Sequence, residues 1–403
     1  MPKNDFIIKE LADRCTNCGN CRIICPVFKE AGEEIFSARG RISLIRGLVH
    51  KELTSGKSIR THIFSCLDCR QCLDYCPADV DYTSIMALVK RNLKPNTRFF
   101  SLKDILTSGL FSPFDHSLYF KTLRSVKKLL SGIGKIKFFK ILSSSLMFRF
   151  QVPEFSDIPE KNFFGIRKRH KLKAYSGIRT AVFIGCGGRY LYPETSDRFV
   201  NILRNSGIEA VIPKQQVCCG NPLLYSGLSK NISNNRSANI KAFNSLVEIS
   251  FLTSLCSNAT GMLRSYMNEN IDGSLRFDVR DHTEIFTDHV KEIEPQYSKK
   301  IIFHSCPKCS NSLKSAEFVD YLYKKSGTVP PLTTGYCGCT ELLDRSNMKV
   351  RSVITRSFCV KNGLENYDKI ACSSFECVEY LNYYFSKNGM NIRAVHFIDA
   401  VKV

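Results

Sequence analysis

Eight cysteines between Cys15 and Pro77 fall into two copies of one pattern. The first copy is Cys15-x-x-Cys18-x-x-Cys21-x-x-x-Cys25-Pro26, and the second is Cys66-x-x-Cys69-x-x-Cys72-x-x-x-Cys76-Pro77. Three thiolates at that spacing wrap one face of an iron-sulfur cubane through a tight loop. The fourth, ahead of a proline that turns the chain away, reaches the other cluster. The expected ligands are therefore Cys15, Cys18, Cys21 and Cys76 for one [4Fe-4S] cluster, and Cys66, Cys69, Cys72 and Cys25 for the second. A pair of zinc knuckles would need only four ligands per metal and no Cys-Pro after a triple repeat.

This is the bacterial ferredoxin spacing written twice, so the elements around it must bring two loops together. Asp5 to Leu11 reads as a helical lead-in to the first loop. Between the motifs, Ser37 to His50 places Ile42, Ile45, Leu48 and Val49 at helical spacing, with Arg39, Arg41 and Arg46 largely off that face. A small ferredoxin would use strands here, so an all-helical variety is expected. Arg39 and Arg41 read as solvated or cluster-flanking charges rather than substrate ligands.

From Thr180 the texture changes to strand, turn and helix. Apolar runs at 180–185, 208–212 and 248–253 alternate with helical stretches at 193–205 and up to Tyr266. The order then repeats, with runs at 300–304 and 367–371, helical stretches at 311–324 and 378–385, and matching ends beginning at Val279 and Val395. Residues 178 to 403 read as a tandem duplication. Buried strands alternating with helices argue for parallel sheets, with cysteines at the carboxyl ends of the strands, where open α/β sheets place their sites.

Size and composition bound the rest. A chain of 403 residues with 43% apolar content suggests two or three domains with real cores. Nineteen cysteines in a chain that reaches a cluster motif by residue 15, with no apolar signal segment before it, point to reduced thiols in a cytoplasmic compartment. No window approaches 18 uninterrupted apolar residues, so no bilayer span is expected. Between Lys90 and Lys173 there are 19 Lys and Arg against 5 Asp and Glu, which is +14 of the chain's +21. Phe120, Leu123, Val126, Leu130 and Ile133 recur there with Lys121, Arg124, Lys127 and Lys128 between them, the pattern of an amphipathic basic helix. The segment carries no nucleic-acid reading motif, so no nucleic-acid partner is expected. It either packs across the chain's own domains or meets an anionic membrane surface or an acidic partner.

In the first repeat, 31 residues separate Cys186 from Cys218-Cys219-Gly220, and 36 separate Cys219 from Cys256. Adjacent cysteines serve one mononuclear zinc poorly because their side chains diverge, whereas a polynuclear cluster can use both. Cysteine, long gap, Cys-Cys-Gly, long gap, Cys-x-x-Cys resembles the cysteine-rich domain shared by heterodisulfide reductases and the iron-sulfur subunits of glycolate oxidase, lactate utilisation and anaerobic glycerol-3-phosphate dehydrogenase systems. With Ala38-Arg-Gly-Arg-Ile42 and His62-Ile-Phe-Ser-Cys66-Leu-Asp-Cys69-Arg-Gln-Cys72, the whole chain is most similar to the glycolate oxidase iron-sulfur subunit family.

Departures from the pattern are specific. The first repeat has Ala259 where the last cysteine belongs. The second has Tyr336-Cys337-Gly338 in place of Cys-Cys-Gly and Ser374-Phe-Glu-Cys377 in place of Cys-x-x-Cys, with Cys309, Cys339 and Cys372 placed near the gaps. Three readings stay open. The first repeat holds a cluster through Cys186, Cys218, Cys219 and Cys256; the second holds zinc or an incomplete cluster through Cys306, Cys309, Cys337 and Cys339; or the cysteines of one or both are small buried hydrophobes. His304 is either a hydrogen-bond donor behind the metal ligands or a satisfied core histidine.

The expected fold class is α+β multidomain: an all-helical ferredoxin domain at 1–92, a basic aromatic arm at 93–177, and tandem α/β cysteine-rich repeats with parallel sheets at 178–295 and 296–403. No glycine-rich dinucleotide loop, phosphate loop or nucleophile triad is present. Hydride chemistry therefore falls to another subunit. The resemblance implies an iron-sulfur electron-transfer subunit serving a FAD-containing dehydrogenase of glycolate, lactate or glycerol 3-phosphate. Its electrons would go toward a membrane quinone, either from the membrane surface or through a quinone-reactive membrane subunit, which implies a peripheral position on the cytoplasmic face. The alternative is a catalytic thiol-disulfide reductase with the repeats as active site.

Overall fold

The computed structural model describes residues 3–93, 125, 159–167, 175–221, 230–267, 273–290, 294–295, 300–308, 317–322, 324, 331–339 and 347–402. Most of the basic arm, including the helical pattern from Phe120 to Ile133, lies outside the described residues, as do Cys309 and residues 310–316.

The N-terminal region is helical, as the spacing predicts. Helices α1 (Lys3–Asp13), α2 (Asn20–Ile24), α3 (Pro26–Ala31), α4 (Ala38–Val49), α5 (Lys57–Phe64) and α6 (Tyr82–Leu93) surround the two cysteine loops. Ser37 caps α4 by accepting from the Gly40 amide at 2.9 Å, satisfying one of the free N–H groups of the first turn. Gly40 is required there, because a Cβ would stand 2.0 Å from the Glu34 carbonyl oxygen. Ile42 and Ile45 of α4 are buried with Ile8 and Ala12 of α1 and Ile85, Met86 and Val89 of α6. Burial of this kind stabilises by roughly 1.5–3 kcal/mol per large apolar side chain.

The C-terminal part holds two four-stranded parallel sheets of the same topology. In the first, β1 (Arg179–Phe183), β2 (Glu209–Val211), β3 (Phe251–Ser254) and β4 (Val279–Asp281) run in the order β2-β1-β3-β4. A short strand β5 (Glu294–Pro295) follows. The second sheet contains β6 (Ile301–Ser305), β7 (Leu332–Thr334), β8 (Lys369–Cys372) and β9 (Arg393–His396), in the order β7-β6-β8-β9. Strand β10 (Val401–Lys402) pairs antiparallel with β5, tying the chain's end to the connection between the sheets. Three of the central strands, β1, β3 and β6, are almost wholly buried, which is why they read as continuous apolar runs.

In each sheet the order reverses between the two central strands, β1 and β3 or β6 and β8. That crevice at the carboxyl ends is the topological switch point. Helix Pro193–Asn205 returns the chain from β1 to β2, and helices Ser257–Ser265 and Phe375–Lys387 follow β3 and β8. The reading of 378–385 as helix starts three residues late: Ser374 is still extended, and the helix begins directly after it at Phe375. One apolar core joins both repeats through Phe286, Phe303, Phe318, Phe375 and Phe397. The helical N-terminal region sits on the second repeat: Cys25, Val27 and Leu67 share a core with Ile302, Tyr336, Phe358 and Tyr384. Asn347 adds a hydrogen bond to the Phe64 carbonyl at 3.1 Å. No helix among the described residues is long and apolar enough to cross a membrane.

Candidate metal centres

The two N-terminal loops are wound the same way. Asn17 and Gly19 in the first, and Asp68 and Arg70 in the second, adopt left-handed backbone at φ 57°, 88°, 51° and 61°. These positions correspond between the motifs, one between each successive pair of cysteines. Left-handed residues there turn the loop back on itself, and Asn, Asp and Gly tolerate that conformation better than most. Cys25 stands at the joint between α2 and α3, where Pro26 starts the new helix with no N–H to satisfy. Its thiol lines one pocket with Cys66, Cys69 and Cys72, together with Arg41 and Tyr82. The pocket holds about 450 Å³ of space not filled by protein atoms. The donors are four sulfurs, the set a cubane requires, so the residues fit such a group.

The surroundings favour ligated thiolates. Burial pushes the thiols of Cys66, Cys69 and Cys72 up, so ionised sulfur there needs cationic partners. Arg41 and Lys90 act in that direction on Cys66. Arg41 is 1% exposed and donates from Nε to the His62 carbonyl at 2.9 Å and from Nη2 to Ser65 Oγ at 2.8 Å. Arg41 thus stands beside the thiols and out of solvent. Lys90 is held by Asp68 at 2.5 Å. The Tyr82 hydroxyl lies 3.7 Å from Cys66 Sγ.

The first loop is more open. Cys18 is exposed, while Cys15, Cys21 and Cys76 pack partly against the helical core. Arg46 donates to the carbonyls of Ala12 and Cys15 at 3.1 and 2.7 Å, and the Val80 amide approaches Cys76 Sγ at 3.4 Å. Arg39 is paired with Glu34 at 2.8 Å and lies within electrostatic reach of Cys15 and Cys21. Burial raises Cys72 most, and Cys21 of the other motif lies within electrostatic reach of it.

In the first repeat the four expected cysteines come together. Hydrogen bonds to Cys186 and Cys219, with burial, push the Cys218 thiol well up, and Cys256 lies within reach of Cys219 and Cys186. Gln216 pins the loop ahead of the Cys-Cys pair: it accepts from the Ile184 amide at 2.7 Å and donates to the Val182 and Pro213 carbonyls at 3.2 and 2.9 Å. The Gly220 amide points at Cys218 Sγ from 3.4 Å. Ala259, in the last cysteine's place, is buried. Cys256 Sγ instead meets Glu376 of the second repeat, 3.3 Å away.

In the second repeat the structure gathers a set only partly read from the sequence. Cys306, Cys337 and Cys339 converge as expected, with Cys306 Sγ 3.6 Å from Cys339 Sγ and 3.9 Å from Cys337 Sγ. Cys377 joins them at 3.8 Å from Cys337 Sγ. A ligand nitrogen of His304 and the thiols of Cys306, Cys337 and Cys377 all lie within 4.8 Å of one another. His304 thus faces the thiols instead of being a satisfied core residue, and the signal was its position two residues before Cys306. Burial opposes ionisation of both partners, yet the thiolate of Cys337 lifts His304 to about 10, and hydrogen bonding with Cys339 and Cys377 brings Cys337 down to about 7. Cys372 and Cys359 are buried but outside this group.

Residues 11–80 match the family described as 4Fe-4S dicluster domain, and residues 180–264 match the family described as cysteine-rich domain. The two matches support iron-sulfur clusters in this chain. It is similar to the probable glycolate oxidase iron-sulfur subunit of Bacillus subtilis strain 168, 25% identical over 242 residues, 58% of this chain and 54% of that protein. The glycolate oxidase iron-sulfur subunit of Escherichia coli K12 is 24% identical over 206 residues, covering 51% and 46%. One of the subunits of the fumarate reductase (CoM/CoB) of Methanothermobacter marburgensis is 23% identical over 225 residues, covering 53% and 35%. The chain spans about half the length or less of these curated relatives.

Proposed function

We propose that this chain is the iron-sulfur electron-transfer subunit of a flavin-dependent dehydrogenase complex. Cys15, Cys18, Cys21 and Cys76 hold one [4Fe-4S] cluster in this reading, and Cys25, Cys66, Cys69 and Cys72 the other. The observation that carries it is the crossing of Cys25 out of its own motif into the pocket of the second, where it lines one space with Cys66, Cys69 and Cys72. Only a pair of interleaved sites needs that exchange.

When bound, two such clusters supply one-electron redox chemistry, which divides the two electrons of a flavin oxidation into single steps. The residues hold and tune them. Eight thiolates bind, Arg41 and Lys90 offset their charge, and the Tyr82 hydroxyl donates toward Cys66. The domain order 1–92, 93–177, 178–295 and 296–403 belongs to the same proposal, as does a cluster at Cys186, Cys218, Cys219 and Cys256. The names of the glycolate oxidase relatives support a FAD-containing partner that oxidises a small hydroxy acid, with a membrane quinone as acceptor.

Iron and sulfide content of anaerobically purified chain, with low-temperature EPR after reduction, tests this. Two interacting cubane signals with about eight irons, or about twelve with the first repeat loaded, are expected. Fewer than about four irons, or a signal that changes on adding a disulfide substrate, would overturn the relay reading.

A further inference from the structure

The ligands gathered in the second repeat are not used by the electron-transfer reading. We propose that His304, Cys306, Cys337 and Cys377 bind one zinc ion in a closed, structural site beneath the surface on which the N-terminal helical region sits.

The sulfur separations suit a single ion. A tetrahedral zinc with Zn–S bonds of about 2.3 Å has sulfur-sulfur edges of about 3.8 Å. Cys337 Sγ lies 3.9 Å from Cys306 Sγ and 3.8 Å from Cys377 Sγ.

The histidine supplies the second, independent observation. His304 Nε2 is buried without a hydrogen-bond partner in bonding geometry and lies against Cys306 and Cys337. Its Nδ1 is 3.0 Å from Thr333 Oγ1. A hydroxyl accepting from Nδ1–H fixes the tautomer that leaves the Nε2 lone pair for a metal. A mixed set of one imidazole and three thiolates, tetrahedral and without an open position, is a zinc set.

Burial and charge agree with it. His304, Cys306, Cys337 and Cys377 are at most 1% exposed, as in closed structural sites. Zinc with three thiolates and a neutral imidazole carries one negative charge, and the three displaced thiol protons go to solvent with no change of oxidation state. The guanidinium of Arg351, 2% exposed, stands beside it, donating to the Gly338 and Cys339 carbonyls at 3.3 and 2.7 Å. The site also accounts for the broken motif: Ser374 has lost the first cysteine of Cys-x-x-Cys, Cys377 keeps the last, and His304 supplies a fourth donor. Cys339 stands beside Cys306 and Cys337 but outside the four that share one centre. Because Tyr336, Cys337 and Cys339 share a core with Cys25 and Leu67, the ion stiffens the ground under the second cysteine loop.

The test is elemental analysis of the full chain purified anaerobically, for zinc and iron separately, with zinc K-edge absorption on the same sample. One zinc per chain in a shell of three sulfurs and one nitrogen is expected. Cys377→Ser should lose that zinc, with at least a tenfold drop in retention against a chelator, while the iron count and cubane EPR persist. A zinc surrounded by four sulfurs, a zinc-free chain, or loss of about four irons in Cys377→Ser would overturn the proposal. Should Cys377→Ser fail to fold, cobalt exchanged into the wild-type chain decides it: tetrahedral bands with sulfur-to-metal charge transfer support the site, and their absence refutes it.

Discussion

The thiol of Cys256 lies 3.3 Å from Oε2 of Glu376, across the boundary between the two repeats. The same carboxylate oxygen accepts from Ser374 Oγ at 2.7 Å. Cys256 keeps the first cysteine of its Cys-x-x-Cys, while Cys377, next to Glu376, keeps the last of the other. Each repeat has lost a different half, and the first now meets a carboxylate where its own helix offers Ala259. Ser257 Oγ to the Ser373 carbonyl at 3.2 Å and Thr195 Oγ1 to Asp399 at 2.7 Å bind the same boundary.

With the first repeat free of a cluster, Glu376→Ala removes an acceptor shared by two buried donors. A loss of about 2–3 kcal/mol is expected, against about 1 kcal/mol for Glu376→Gln, which keeps an amide oxygen there. Urea unfolding of anaerobic protein followed by circular dichroism compares them. Equal losses would mean that the charge, not the acceptor, matters.

Tyr82→Phe should make the cluster at Cys25, Cys66, Cys69 and Cys72 harder to reduce. A hydroxyl donating to a ligand sulfur favours the more negative, reduced state, so its removal lowers the potential. About 1 kcal/mol for one such bond corresponds to about 40 mV in a one-electron couple. An EPR-monitored redox titration measures it, with the other cluster as internal control.

The glycines after the Cys-Cys and Tyr-Cys pairs give a matched comparison. Gly220 and Gly338 both have left-handed backbone, φ 85° and 88°. A Cβ on Gly220 would find its nearest neighbour at 3.5 Å, while one on Gly338 would stand 2.2 Å from Thr355 Oγ1 and 3.0 Å from the Arg351 carbonyl oxygen. Gly220→Ala therefore carries mainly backbone strain of about 1–2 kcal/mol. Gly338→Ala adds a collision and should cost clearly more, with zinc lost alongside. Thermal melting and zinc content of the two variants check the order.

Cys69→Ser should remove about half the cubane iron, together with electron flow, and leave the two sheets folded. Iron analysis and circular dichroism read both. Collapse of the sheets would show that the cluster loop, which packs near Tyr336, is needed to hold the second repeat.

Much of this molecule is written in short stretches of sequence. Ser37 to His50 announces its helix because Ile42 and Ile45 fall on one face, and Pro193 to Asn205 does so with a proline in its first turn. The strands at 179–183 and 301–305 are legible as apolar runs because parallel strands are covered on both sides. Charge was less legible. Arg41 shares its helix with exposed polar residues, and nothing local shows that the 62–65 turn will enclose it.

The sequence alone determined the two cubane motifs, the duplicated α/β repeat and the places where each repeat had lost a cysteine, because these depend on spacing within a few residues or on a pattern repeated in order. Only the tertiary structure decided that Cys377 and His304 join Cys306 and Cys337, and that Glu376 answers Cys256. Cys377 is 40 residues from Cys337, and Glu376 is 120 from Cys256. Such contacts are fixed by how helices pack on a sheet and one sheet against the next, and no local spacing records that.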